Sequence, residues 1–149
     1  MKALTTLFVT GMFATAVVMA DDMDDVKAAV HSYFDAINSG NGTAVARHRI
    51  PEYSVFAGGG LLDRSSSSAE QRDEFQALTD GGRNLNLRIQ HMDVRVYGNT
   101  AVVTGYLMGT NTTPDGTVLQ SRQQRTGVWI KQSGQWREVH RHAAQLFPQ

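Results

Sequence analysis

Two histidines, His140 and His142, stand two residues apart in the last apolar segment of the chain. On a strand this spacing puts both imidazoles on one face, where they could share a metal ion or pass a proton near neutral pH. A metal site needs a third or fourth ligand, and spacing places neither His48 nor His91 beside the pair. Thiolate ligands are excluded because the sequence has no cysteine. No metal is therefore expected. The structural alternative gives one ring a hydrogen bond inside a sheet and the other an interface. Upstream, Arg125 lies in the polar stretch 120–126, followed at steps of two by Gly127 and Trp129. If Gly127 faces inward, the two-residue period of a strand turns Arg125 and Trp129 inward with it. A guanidinium buried there requires a carboxylate, from the protein or from a ligand. Tyr33 falls on the apolar side of a helical segment, either as a packed core tyrosine or as a hydrogen-bond donor to a ligand.

The elements that must position these residues are legible in outline. Val26, Ala29, Val30, Tyr33 and Ile37 recur at helical spacing, with Asp24 and Asp25 suited to the positive helix start and Gly40 to its end. A second short helix is expected over 43–48, capped by Thr43 and ended before Pro51. A brief strand over 53–57 leads into a loop at Gly58-Gly59-Gly60. These glycines are not a phosphate cradle, since no Lys-Ser/Thr pair follows them. Ser67 and Glu70 have capping-box spacing and predict a helix over about 69–79; the serine run 65–68 reads as loop and cap, not as a nucleophile.

The sheet comes last. Leu85, Leu87 and Ile89 alternate, then Met92, Val94 and Val96 alternate in the opposite phase, which places a β-bulge near Gln90-His91. Turns at Gly98-Asn99, Pro114-Asp115-Gly116 and Ser133-Gly134 separate long antiparallel strands. Helices followed by such strands predict an α+β fold, with N-terminal helices packed into a strongly curved antiparallel sheet, an arrangement that usually encloses a pocket.

Residues 1–20 read as a cleaved secretory signal peptide: Lys2, an uncharged apolar run, Val18 and Ala20 before the junction, then Asp21-Asp22. Residues 21–149 then form one domain exported to the periplasm or secreted. Loss of Lys2 leaves 13 basic residues against 14 acidic ones. With no basic patch, nucleic acid and membrane surfaces are not expected partners, and no cofactor is expected.

The residues Tyr33-Phe34-Asp35-Ala36-Ile37-Asn38-Ser39-Gly40-Asn41, Thr126-Gly127-Val128-Trp129, Ser133-Gly134-Gln135-Trp136 and Val139-His140-Arg141-His142 resemble the nuclear transport factor 2-like superfamily, which includes ketosteroid isomerase and SnoaL-like proteins. Within it the chain is most similar to the association domain of calcium/calmodulin-dependent protein kinase II and its small bacterial relatives. The resemblance implies that the helices and curved sheet form a cone with an internal pocket. It leaves the activity open, because this fold hosts isomerases, cyclases, dehydratases, binding modules and oligomerisation domains. Gly127, Ala143 and Leu107 or Met108 stand where association domains carry arginines. A wider, more apolar pocket is thus expected, with Arg125 or Arg141 as replacement cations. Ketosteroid isomerase implies a catalytic tyrosine at Tyr33, but no carboxylate stands near Phe56-Ala57 to act as its base.

The resulting expectation is a homodimeric protein binding a small, partly apolar molecule through Tyr33, Arg125, Gly127, Trp129, His140 and His142. The alternatives are an isomerase, cyclase or dehydratase with a histidine base and Tyr33, or a purely structural oligomerisation domain. Dimerisation is expected from strands apolar on both faces and from two tryptophans, Trp129 and Trp136, on one hairpin.

Overall fold

The computed structural model describes residues 13–56 and 61–146. The glycine loop expected at 58–60 and the first twelve residues of the expected leader lie outside the described residues. Three helices are followed or interleaved by six strands: α1 (Phe13–Asn38), α2 (Gly42–Arg47), β1 (Arg49–Phe56), β2 (Leu62–Arg64), α3 (Ser68–Asp80), β3 (Asn84–Tyr97), β4 (Thr100–Thr112), β5 (Val118–Gln132) and β6 (Gln135–Gln145).

α1 buries Val26, Val30, Tyr33 and Ile37 of the stripe its spacing predicts, leaves Ala29 half-buried and adds Phe34, packing against β3 and β6. It begins at Phe13, so Asp24 and Asp25 lie within the helix and do not start it. No glycine or proline interrupts residues 13–38, so nothing stops the helix from extending back past Asp24. α2 is capped by Asn41, whose side chain accepts from the Ala44 amide at 2.9 Å, in place of the expected Thr43. α3 starts where the capping box predicts, with the Ser67 hydroxyl accepting from the Glu70 amide at 3.1 Å.

The strands form one sheet in the order β2-β1-β6-β5-β4-β3. Five strands were expected to be antiparallel throughout. The sheet is instead mixed, because β1 runs parallel to β6. α3 carries the chain from β2 at one edge to β3 at the other, so β1 lies between β2 and the last strand, β6. β2 is an additional short edge strand that residue patterning does not reveal. The predicted bulge is present: the β3–β4 register shifts between Gln90 and Asp93, and His91 has φ of 50°. At the β5–β6 turn Ser133 and Gly134 both have positive φ, which suits a two-residue hairpin loop. Among the described residues no helix is long and apolar enough to cross a membrane.

Candidate functional site

Along β5 the buried positions are Arg125, Gly127 and Trp129, so the strand has the phase its spacing implies. Their shared face packs on α1. Gly127 does not leave the extra room expected of it. A Cβ there would stand 2.6 Å from Glu138 Oε1 and 3.0 Å from Trp129 Nε1, so these two side chains occupy that space. The carboxylate that Arg125 needs is Glu138, which accepts from Arg125 Nη2 at 2.6 Å. Both side chains are sealed off, with 4% and 0% exposure. Arg125 is therefore neutralised within the fold, and is not an open ligand anchor.

β6 reaches this face through an irregularity. Glu138 pairs with Trp129 but His140 pairs with Val128, which leaves Val139 as an extra residue. Directly paired residues share a face. Arg141, opposite Gly127, thus points inward with Glu138, while His140, opposite Val128, and His142, opposite Thr126, point to the other side of the sheet. The two histidines do share a face, but not the one that carries Tyr33, Arg125, Gly127 and Trp129. There His140 Nδ1 meets Ser54 Oγ at 2.9 Å, and Phe56 sits edge-on to both rings. This corrects their placement among the inner residues. Both tryptophans are buried, Trp136 at 5% exposure and Trp129 at 1%, so neither offers a face to a second copy.

β1 and α1 complete the inner cluster. Arg49 donates from Nε to Tyr33 Oη at 3.2 Å and also from Nη2 to the same oxygen. Its guanidinium lies 4.5 Å from the Tyr53 ring centre. Burial alone would raise the Tyr33 phenol, but the charges of Arg49 and Arg141 outweigh it and hold the group below its ordinary value. Tyr53 moves the opposite way, pushed far up by burial and then by Glu138, so it remains a neutral donor. Burial opposes the charge of Arg141, yet the nearby Tyr53, Tyr33 and Glu138 stabilise it on balance.

Three guanidiniums, Arg49, Arg125 and Arg141, and one buried carboxylate, Glu138, thus gather around the Tyr33 phenol. The interior is more cationic than the expected apolar pocket. Arg141 Nε, Tyr53 Oη and Gln71 Oε1 are buried without a hydrogen-bond partner. All three residues border a cavity of about 110 Å³ between β1, β6 and α3, together with Arg49. Gln71 is held there by its amide, which donates to the Ile50 and Pro51 carbonyls at 2.6 and 3.0 Å. The exposed carboxylates Asp63 and Glu74 also border the cavity, and among the described residues neither pairs with Arg49 or Arg141. Sequence reasoning missed Arg49, Tyr53, Gln71 and Glu138. Trp136 and Glu138 stand at one strand period, a signal that the carboxylate shares the buried face of the tryptophan.

The sequence matches the calcium/calmodulin dependent protein kinase II association domain over residues 22–146. The chain belongs to that family. Its fold is the nuclear transport factor 2-like one. The association domain of the Caenorhabditis elegans kinase superposes with a TM-score of 0.67 at 21% identity, covering 85% of this chain and 97% of that one. An association-domain protein from Xanthomonas campestris gives 0.66 at 20% identity over 82% of this chain and 86% of its own. A nuclear transport factor 2-like protein from Streptomyces avermitilis gives 0.75 at 15% identity, covering 87% and 99%. None of the curated proteins matches the sequence.

Proposed function

We propose that this association-domain protein is exported and self-associating, and that it binds a small carboxylate-bearing molecule in the interior of its cone, between Arg49, Tyr53, Gln71 and Arg141. The observation that carries this reading is the excess of buried positive charge beside unpartnered donors at a cavity wall. Arg49 and Arg141 have one buried carboxylate near them, and it is paired with Arg125, so an anionic ligand lowers the cost of the remaining buried charge. Arg141 offers a charge-assisted donor and neutral Tyr53 a second one. Gln71 Oε1 can only accept, so it asks for a hydroxyl on the ligand. A cavity of 110 Å³ is well below the roughly 300–1,000 Å³ of drug-sized sites, so the ligand is a short hydroxy acid.

Lactate, propionate and lactamide test these three features by calorimetric titration. Lactate should bind most tightly, propionate less because it lacks the hydroxyl, and lactamide least because it lacks the charge. Equal affinities for lactate and lactamide would remove the basis for an anion site. Self-association is supported by the family match, and export by the leader-like residues 1–20. Mass spectrometry of protein from the host should find Asp21 or a near neighbour at the N-terminus; an intact Met1 on the exported protein would disprove cleavage.

A further inference from the structure

Outside the cone interior, four arginines converge on a second cavity. Arg47 from the end of α2, Arg49 at the start of β1, Arg72 in α3 and Arg137 in β6 border a space of about 330 Å³, with the hydroxyl residues Thr43 and Ser68. None of the residues lining it is acidic. Among the described residues, Arg47, Arg49 and Arg137 form no ion pair, and Arg72 pairs only with its exposed neighbour Asp73 at 2.7 Å. Arg137 Nε is buried without a partner, although its Nη2 is fixed on Gln135 Oε1 at 2.9 Å. Arg47, Arg72 and Arg137 are like charges on one wall, met by no carboxylate but the exposed Asp73 beside Arg72, and such a wall gains from a multivalent anion.

We infer that this cavity is a second ligand site, which takes the phosphate group of a small phosphate-bearing molecule. Planar guanidinium forks match the oxygens of a phosphate, and a dianion answers several arginines where a carboxylate answers one or two. Ser68 opens α3, whose 13 residues direct their positive end to the same side. The volume lies at the lower end of the range for organic ligands, which leaves room beyond the phosphate itself. The site is distinct from the carboxylate cavity: Arg49 alone borders both, while Arg141 borders only the inner one.

Titration of the full chain with glycerol 3-phosphate, and separately with inorganic phosphate, tests the site. Saturable binding of the ester is expected, weakening as salt is added. The exposed variants Arg47→Gln and Arg72→Gln should each weaken it by roughly tenfold or more, the loss expected for a hydrogen bond to a charged group. Arg141→Met should leave it unchanged, which separates this site from the inner one, and Arg88→Gln on β3 should also leave it unchanged. Absence of saturable binding, or full affinity in both Arg47→Gln and Arg72→Gln, would overturn the proposal. An equal loss in Arg88→Gln would also overturn it, by showing that net charge alone is at work. Inorganic phosphate binding more tightly than the ester would overturn the assignment to an organic phosphate.

Discussion

At the scale of single residues, Glu138 has the largest consequences. It is fully buried and faces the guanidinium of Arg125 at 2.6 Å, so its removal leaves a sealed cation without a partner. Glu138→Leu should cost about 3–5 kcal/mol in urea unfolding, the range for breaking a buried pair. Adding Arg125→Met to that variant should recover most of the loss, since an apolar pair of similar size packs without an orphaned charge. If the double variant is as unstable as the single one, the pair is not coupled. Tyr33 offers a second test, through pH. Its phenol is held below the ordinary 10.0, so between the folded and unfolded values the unfolded chain carries the extra proton. The stabilisation is complete above the unfolded value and is lost as pH falls through the folded one. Stability should therefore rise with pH in that window, and Tyr33→Phe should abolish the rise. Tyr53 is shifted upward and acts above 10.0 with the opposite sign, so the two windows separate. A pH profile unchanged in Tyr33→Phe would show that the phenol does not ionise early.

At the scale of elements, β5 was read correctly from spacing and β6 was not. Arg125, Gly127 and Trp129 follow the plain two-residue period, so fixing one fixes all. On β6 the extra residue Val139 breaks that period, and His140 and Arg141 take the opposite faces from those an unbroken strand would give relative to Glu138. The bulge in β3 was visible because apolar residues flank it in both phases; the one in β6 is flanked by polar side chains and leaves no such trace. Arg49 was hidden for another reason, since nothing local says that β1 runs parallel to the last strand. The tight fit at Gly127 is specific to this arrangement. Gly127→Ala should destabilise by about 1–3 kcal/mol, because the new methyl meets Glu138 Oε1 while that oxygen is held by Arg125. A neutral effect in thermal unfolding would mean that Glu138 moves aside freely.

At the scale of the whole molecule, the sheet separates two chemistries. The face toward α1 carries the buried arginine and tyrosine cluster; the other carries His140, His142, Thr126 and the exposed rings of Tyr106 and Phe56. Self-association of an association domain through that second face would cover rings that water now meets. Tyr106→Asp should then shift the protein toward a single chain in light scattering, with unchanged unfolding of the inner core. A variant that keeps the full assembly would place the interface elsewhere. The α+β class was legible from the order of helical and alternating segments, whereas the contents of the interior depend on strands far apart in sequence and were not.

The central claim, that the interior holds a carboxylate between Arg49 and Arg141, is tested most directly by titrating lactate into the intact protein and into Arg141→Met. The account predicts saturable binding to the former and a loss of roughly tenfold or more in the latter, with Arg72→Gln indistinguishable from the intact protein. Equal affinity in the intact protein and Arg141→Met would contradict it.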